Sequence, residues 1–125
     1  MNTPSPKKKK NFTFSQGYKE GIQRRKHARI PVEIKSTFTY MDAYNKYTDT
    51  CLITSLSTGG VGFETNGVLL KGDVITIIFP MEGFIIKEDA MITRTHGKEI
   101  GCKFIDPKKD NVKKIQEFIY KKIFQ

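Results

Sequence analysis

From Ile30 onward, apolar and polar positions alternate along the chain. Ile30, Val32, Ile34, Phe38 and Tyr40 share one parity, with Glu33, Lys35, Thr37 and Thr39 on the other, the pattern of a strand buried on one face. A second β segment, rich in Thr and Ile, runs from about Tyr47 to Leu56. After Thr58-Gly59-Gly60, residues 61–65 read as its hairpin partner. Leu69-Leu70-Lys71-Gly72-Asp73 has turn chemistry and leads into an apolar strand over residues 74–79, which Pro80 is expected to end. Beyond a turn at Met81-Glu82-Gly83, a long strand is predicted over residues 84–95 and a tight turn at His96-Gly97-Lys98. A closing strand over residues 99–105 then places Ile100, Cys102 and Phe104 on one parity. Six short strands in about 75 residues predict an antiparallel barrel rather than a parallel sheet with crossover helices.

The period changes at the end of the chain. Asp106 is expected to cap a helix with Pro107 at its first position, and Val112, Ile115, Phe118, Ile119 and Ile123 recur at three- and four-residue steps. One amphipathic helix over residues 107–124 is predicted, docked by that stripe, with Lys109, Lys113, Lys114, Lys121 and Lys122 as its solvated face. At the other end, residues 1–21 are rich in Pro, Ser, Thr and Lys with few apolar anchors, and they read as a flexible basic tail ahead of one domain over residues 22–125. The expected fold class is therefore mainly β: a six-stranded antiparallel barrel with a C-terminal helix and a mobile N-terminal tail.

Charge sharpens this picture. The 125 residues carry 22 basic and 13 acidic side chains, a net +9. Residues 1–29 hold nine of the basic ones against Glu20 alone, a local +8, and the remainder is nearly neutral at +1. A uniformly basic nucleic-acid binder would spread its charge over a folded face, so an anionic partner is expected to meet the N-terminal end of the barrel. The longest apolar runs fall far short of the roughly 18 residues of a spanning helix, and no apolar stretch of a secretory signal follows Lys7–Lys10. No membrane span is expected, and the expected compartment is the cytoplasm. Cys51 and Cys102 lack metal-site spacing and read as reduced core residues.

Two segments carry candidate binding chemistry. Gln23-Arg24-Arg25-Lys26-His27-Ala28-Arg29 sets three guanidiniums where the tail meets the first strand. Their planar forks suit phosphate and the O6/N7 edge of guanine, and each can also stack on a base. About thirty residues later, Ser55-Leu56-Ser57-Thr58-Gly59-Gly60 places two hydroxyls on alternate residues, followed by glycines that let backbone N–H groups approach a ligand. Catalysis is not expected. His27 and His96 have no partner at dyad or triad spacing, and Gly59-Gly60-Val61-Gly62 lacks the Lys-Ser/Thr and helix of a P-loop. Glu88 and Asp89 fall on opposite faces of one strand.

The pair of segments resembles the PilZ domain family, bacterial receptors for the second messenger cyclic di-GMP, whose RRxxxR and (D/N)xSxxG motifs enclose the dinucleotide. Arg24, Arg25 and Arg29 match the first motif, and Ser57 and Gly60 the second. Leu70-Lys71-Gly72-Asp73-Val74 and Ile100-Gly101-Cys102-Lys103-Phe104 are similar to the family's glycine-aspartate turn and closing GxxF strand. The resemblance implies a PilZ-type barrel with cyclic di-GMP held by Arg24, Arg25, Arg29, Ser55, Ser57, Gly59 and Gly60, and no cofactor. It implies an Arg segment that orders on binding and signals to a partner protein in motility, adhesion or exopolysaccharide control. Arg directly before RxxxR, as Arg24 stands here, implies an intercalated pair of nucleotides per protomer. Ser55 departs from the family's Asp or Asn and shortens the reach of that contact. Two other readings stay open: a PilZ-fold interaction module that has lost its nucleotide, supported by Ser55, and a small barrel binding RNA or single-stranded DNA.

Overall fold

The computed structural model describes residues 28–125. Arg24, Arg25 and the tail assigned to residues 1–21 lie outside the described residues. Six strands are present, β1 (Ile30–Met41), β2 (Lys46–Leu56), β3 (Gly60–Glu64), β4 (Val74–Met81), β5 (Phe84–His96) and β6 (Glu99–Phe104), followed by helix α1 (Lys109–Ile123). All pairings are antiparallel, and the order β1-β2-β3-β6-β5-β4 closes on itself through the pairing of β1 with β4. Closure leaves the barrel wall without a free edge where the strands pair.

The period-two pattern is what fills the interior. Phe38, Ile53, Phe63, Ile75, Ile77, Phe79, Ile86 and Ile92 are fully buried, all from the inward parity of their strands. Phe38 and Phe63 meet across the core with ring centroids 5.6 Å apart. Cys51 and Cys102 are free and buried in the same interior.

Two local expectations are corrected. Pro80 does not end β4, which runs on to buried Met81 while Pro80 itself is exposed. The ladder with β1 stops at Ile78, and Pro80 pairs only with Ile85 on β5, so a residue without an N–H is tolerated there. Nor does Asp106 cap the helix. Its φ is +48, and α1 begins at Lys109 with Lys108 as the N-cap residue, without a side-chain cap of its own. Ile115 and Ile119 bury the helix against the barrel. Lys114 Nζ lies 3.2 Å from the centre of the Phe84 ring, and Lys121 pairs with Glu82 at 3.2 Å, so the lysine face also ties α1 to the β4–β5 hairpin.

Candidate functional site

The β1–β2 ladder sets Ile30 opposite Leu56 and Pro31 opposite Ser55. Arg29, exposed just before β1, therefore stands beside the turn that follows β2. Both border one cleft of about 500 Å3, lined on one side by Arg29, Ser55, Ser57, Gly59 and Gly60 and on the other by Thr93, Arg94, Gly101 and Lys103. That volume lies within the roughly 300–1,000 Å3 typical of small-molecule sites.

Ser57 builds the turn that forms one lip. Its Oγ accepts hydrogen bonds from the N–H groups of Gly59 and Gly60, each at 3.1 Å, and donates to the Gly60 carbonyl at 3.1 Å. The Ser57 N–H adds a 3.0 Å bond to the same carbonyl. The N–H groups expected to face a ligand are thus taken up inside the turn, because a buried donor needs a partner and the adjacent hydroxyl supplies one. Gly60 has a packing reason to be glycine, since a Cβ there would overlap the Cys102 carbonyl on β6.

The floor of the cleft is a cross-strand row. Ser55 on β2 pairs with Gly62 on β3, Gly62 with Gly101 on β6, and Gly101 with Arg94 on β5. Val61, Phe63, Ile100 and Cys102 point into the core, so both glycines face outward. The ladder shifts register at Pro31/Ile34, Ile53/Ser55 and Ile92/Arg94, placing a bulge beside Pro31, Ser55 and Arg94. Thr54 and Thr93, the residues these last two bulges leave over, act alike: Thr54 Oγ1 donates to the Gly62 carbonyl at 3.4 Å and Thr93 Oγ1 to the Gly101 carbonyl at 3.2 Å. Bulges re-aim the side chains beside them, here Ser55 and Arg94 from opposite sides of a glycine trough.

Arg29, Arg94 and Lys103 border the cleft and, among the described residues, no carboxylate does, which makes it a place for an anion. Cys102 also borders it, but burial pushes its thiol up to about 11, so it holds its proton at neutral pH and is not a nucleophile. Among the described residues, no cluster of side chains could hold a metal ion, and no helix is long and apolar enough to cross a membrane.

The family model of the PilZ domain matches residues 23–121. The chain belongs to the PilZ domain family. No curated protein matches the chain. Among solved structures, the PilZ domain of CeSA from a cellulose-synthesizing bacterium is 17% identical with a TM-score of 0.59, covering 74% of this chain and 95% of that one. The PilZ domain of YcgR from Escherichia coli, solved with c-di-GMP, is 18% identical with a TM-score of 0.62, covering 79% and 91%. The inhibitor of motility from Bacillus subtilis is 14% identical with a TM-score of 0.64, covering 83% of this chain and 54% of that one. At these identities the likeness is one of fold.

Of the residues assigned to the PilZ motifs, Arg29, Ser55, Ser57, Gly59 and Gly60 meet at one cleft, and Arg24 and Arg25 lie outside the described residues. Arg94 and the two bulge threonines were not singled out from the sequence. A lone Arg at the outward parity of a strand reads as a solvated residue, and only the register of β5 against β6 shows where it stands.

Proposed function

We propose that this PilZ domain is a cyclic di-GMP receptor. The observation that carries the reading is the meeting of Arg29 with the Ser55–Gly60 turn at a single cationic cleft. These are the ends of the two motifs, brought together by the pairing of Pro31 with Ser55. Arg29 and, from the chain before it, Arg24 and Arg25 supply forks for the two phosphates and the guanine edges. Ser55 offers a hydroxyl at the wall of the trough, and Ser57 keeps the adjoining lip in shape. The Arg segment orders around the nucleotide when it binds, and Arg24 adds the guanidinium that holds a second, intercalated molecule. The ordered segment and lip then present a new surface to a partner protein, the switch by which such a receptor acts.

A single-strand nucleic-acid reading would need exposed aromatic stacking platforms at the basic site. Phe38, Phe63, Phe79 and Phe104 are buried instead, and among the described residues no aromatic side chain borders the cleft.

Calorimetric titration of the full chain with cyclic di-GMP, against GTP as control and Arg25→Ala as variant, tests the receptor reading. Saturable binding near two equivalents per chain that is lost in the variant is expected. Absence of binding leaves the fold as a protein-interaction module, and one equivalent removes the intercalated pair.

A further inference from the structure

Arg94 is an arginine at the cleft that neither motif explains. It is exposed and makes no hydrogen bond or ion pair with any described residue. Its position is nevertheless fixed. The bulge at Ile92/Arg94 aims it across β6, where its partner in the ladder is Gly101. The point that a Cβ of Gly101 would occupy lies 3.0 Å from Arg94 Nε, 3.2 Å from Cζ and 3.2 Å from Nη2. Three atoms of one planar group at nearly equal distance from a point mean that the plane is presented broadside to it. An edge-on guanidinium would hold Cζ clearly farther away or clearly nearer than the two nitrogens. The guanidinium thus lies with one face on the Gly101 backbone and its other face turned outward over the trough.

We propose that Arg94 is a stacking platform for a guanine base of the nucleotide bound in this cleft. The assignment rests on the receptor reading and adds to it a residue outside both motifs. A guanidinium plane is weakly hydrated and stacks on the π face of a base, adding cation–π attraction to the stacking. An arginine held as an ion pair would have its charge answered already, whereas Arg94 has no carboxylate partner among the described residues and keeps both charge and open face for a ligand. The row Ser55-Gly62-Gly101-Arg94 crosses three interstrand spacings, about 14 Å. The Ser55 Oγ lies over Gly62 and the guanidinium over the adjoining Gly101, so a flat base stacks on the outward face of the guanidinium, above the floor, with the serine hydroxyl beside it. Arg94 thereby supplies, from β5, contact that the shorter Ser55 gives up on β2.

The test is calorimetric titration of the full chain with cyclic di-GMP for the wild type and for Arg94→Ala, Arg94→Lys and Arg94→Phe, with urea unfolding of each free protein. Arg94 is exposed and bonds to no described side chain, so the unfolding midpoints should agree. Arg94→Ala should weaken binding about tenfold or more, the scale of losing one base stack. Arg94→Lys, which keeps the charge and loses the plane, should be nearly as weak, and Arg94→Phe, which keeps a plane, should stay within about threefold of wild type. Wild-type affinity in Arg94→Ala, or in Arg94→Lys alongside a weak Arg94→Phe, would overturn the platform while leaving the receptor standing. A wild type that binds no nucleotide would overturn both.

Discussion

The Glu88 carboxylate, on the inward parity of β5, accepts a 3.0 Å hydrogen bond from the backbone N–H of Lys108, the N-cap residue of the helix. The same Oε2 takes a 2.6 Å bond from Asn111 Nδ2 in the first turn. A barrel residue thus does what a capping side chain within the helix would do, and it joins the helix to the wall. Glu88 is only 4% exposed, and these two donors at the helix N-terminus satisfy its buried oxygen. Glu88→Ala should destabilise the fold by about 1–3 kcal/mol, the cost of leaving two partly buried donors without their acceptor. Asn111→Ala should cost less, and urea unfolding of both variants checks the order.

Ser57 should prove to be a structural residue of the site before it is a contact. Its hydroxyl makes three hydrogen bonds within its own turn. Ser57→Ala should lower stability by about 1–3 kcal/mol and weaken nucleotide binding by deforming the lip. Unfolding and titration measured on the same sample check this. A variant of wild-type stability that binds weakly would instead make Ser57 a direct ligand.

Ser55 stands in the wall with its Oγ over Gly62. Ser55→Asp restores the family's residue and its longer reach to a guanine donor. It should tighten binding by about 0.5–3 kcal/mol, the range for one added hydrogen bond from neutral to charged partners, read as a lower Kd by titration.

The cysteines predict a dependence on alkaline pH. Burial first, then the neighbouring Cys102 and Asp49, push the Cys51 thiol up to about 12, and burial pushes Cys102 up to about 11, from the ordinary thiol value of 9.0. Both folded values lie above the unfolded one, so the folded state holds the protons longer. The contribution to stability is complete below about pH 9 and is lost as pH rises from there towards 11–12. Unfolding free energy should fall across that window, and less steeply in Cys51→Ala. Neither thiol should react with Ellman's reagent at neutral pH until the chain unfolds.

Much of the fold was legible because its signals are local. Alternation set the inward parity of β1 and β6, and the three- and four-residue steps of Ile115 and Ile119 marked the helix stripe. What escaped was non-local. Pro80 looks like a strand end until β1 is seen to stop pairing at Ile78, and Asp106 looks like a cap because Glu88, twenty residues before the helix, gives no sign in sequence that it takes that role. At the site, the motifs named Arg29 and the Ser55–Gly60 turn. Arg94 needed the bulge at Ile92/Arg94 and the β5–β6 register, neither of which leaves a mark in residue type.

The most direct measurement is the change in backbone amide chemical shifts of the 15N-labelled full chain on addition of cyclic di-GMP. One site built from Arg29, the Ser55–Gly60 turn and the Gly62–Gly101 trough requires the largest changes at Arg29, Ser55, Ser57, Gly60, Gly62, Arg94 and Gly101, with the α1 amides little moved. Saturating nucleotide that leaves these amides where they were, or that shifts chiefly the helix and the β4–β5 hairpin, would contradict it.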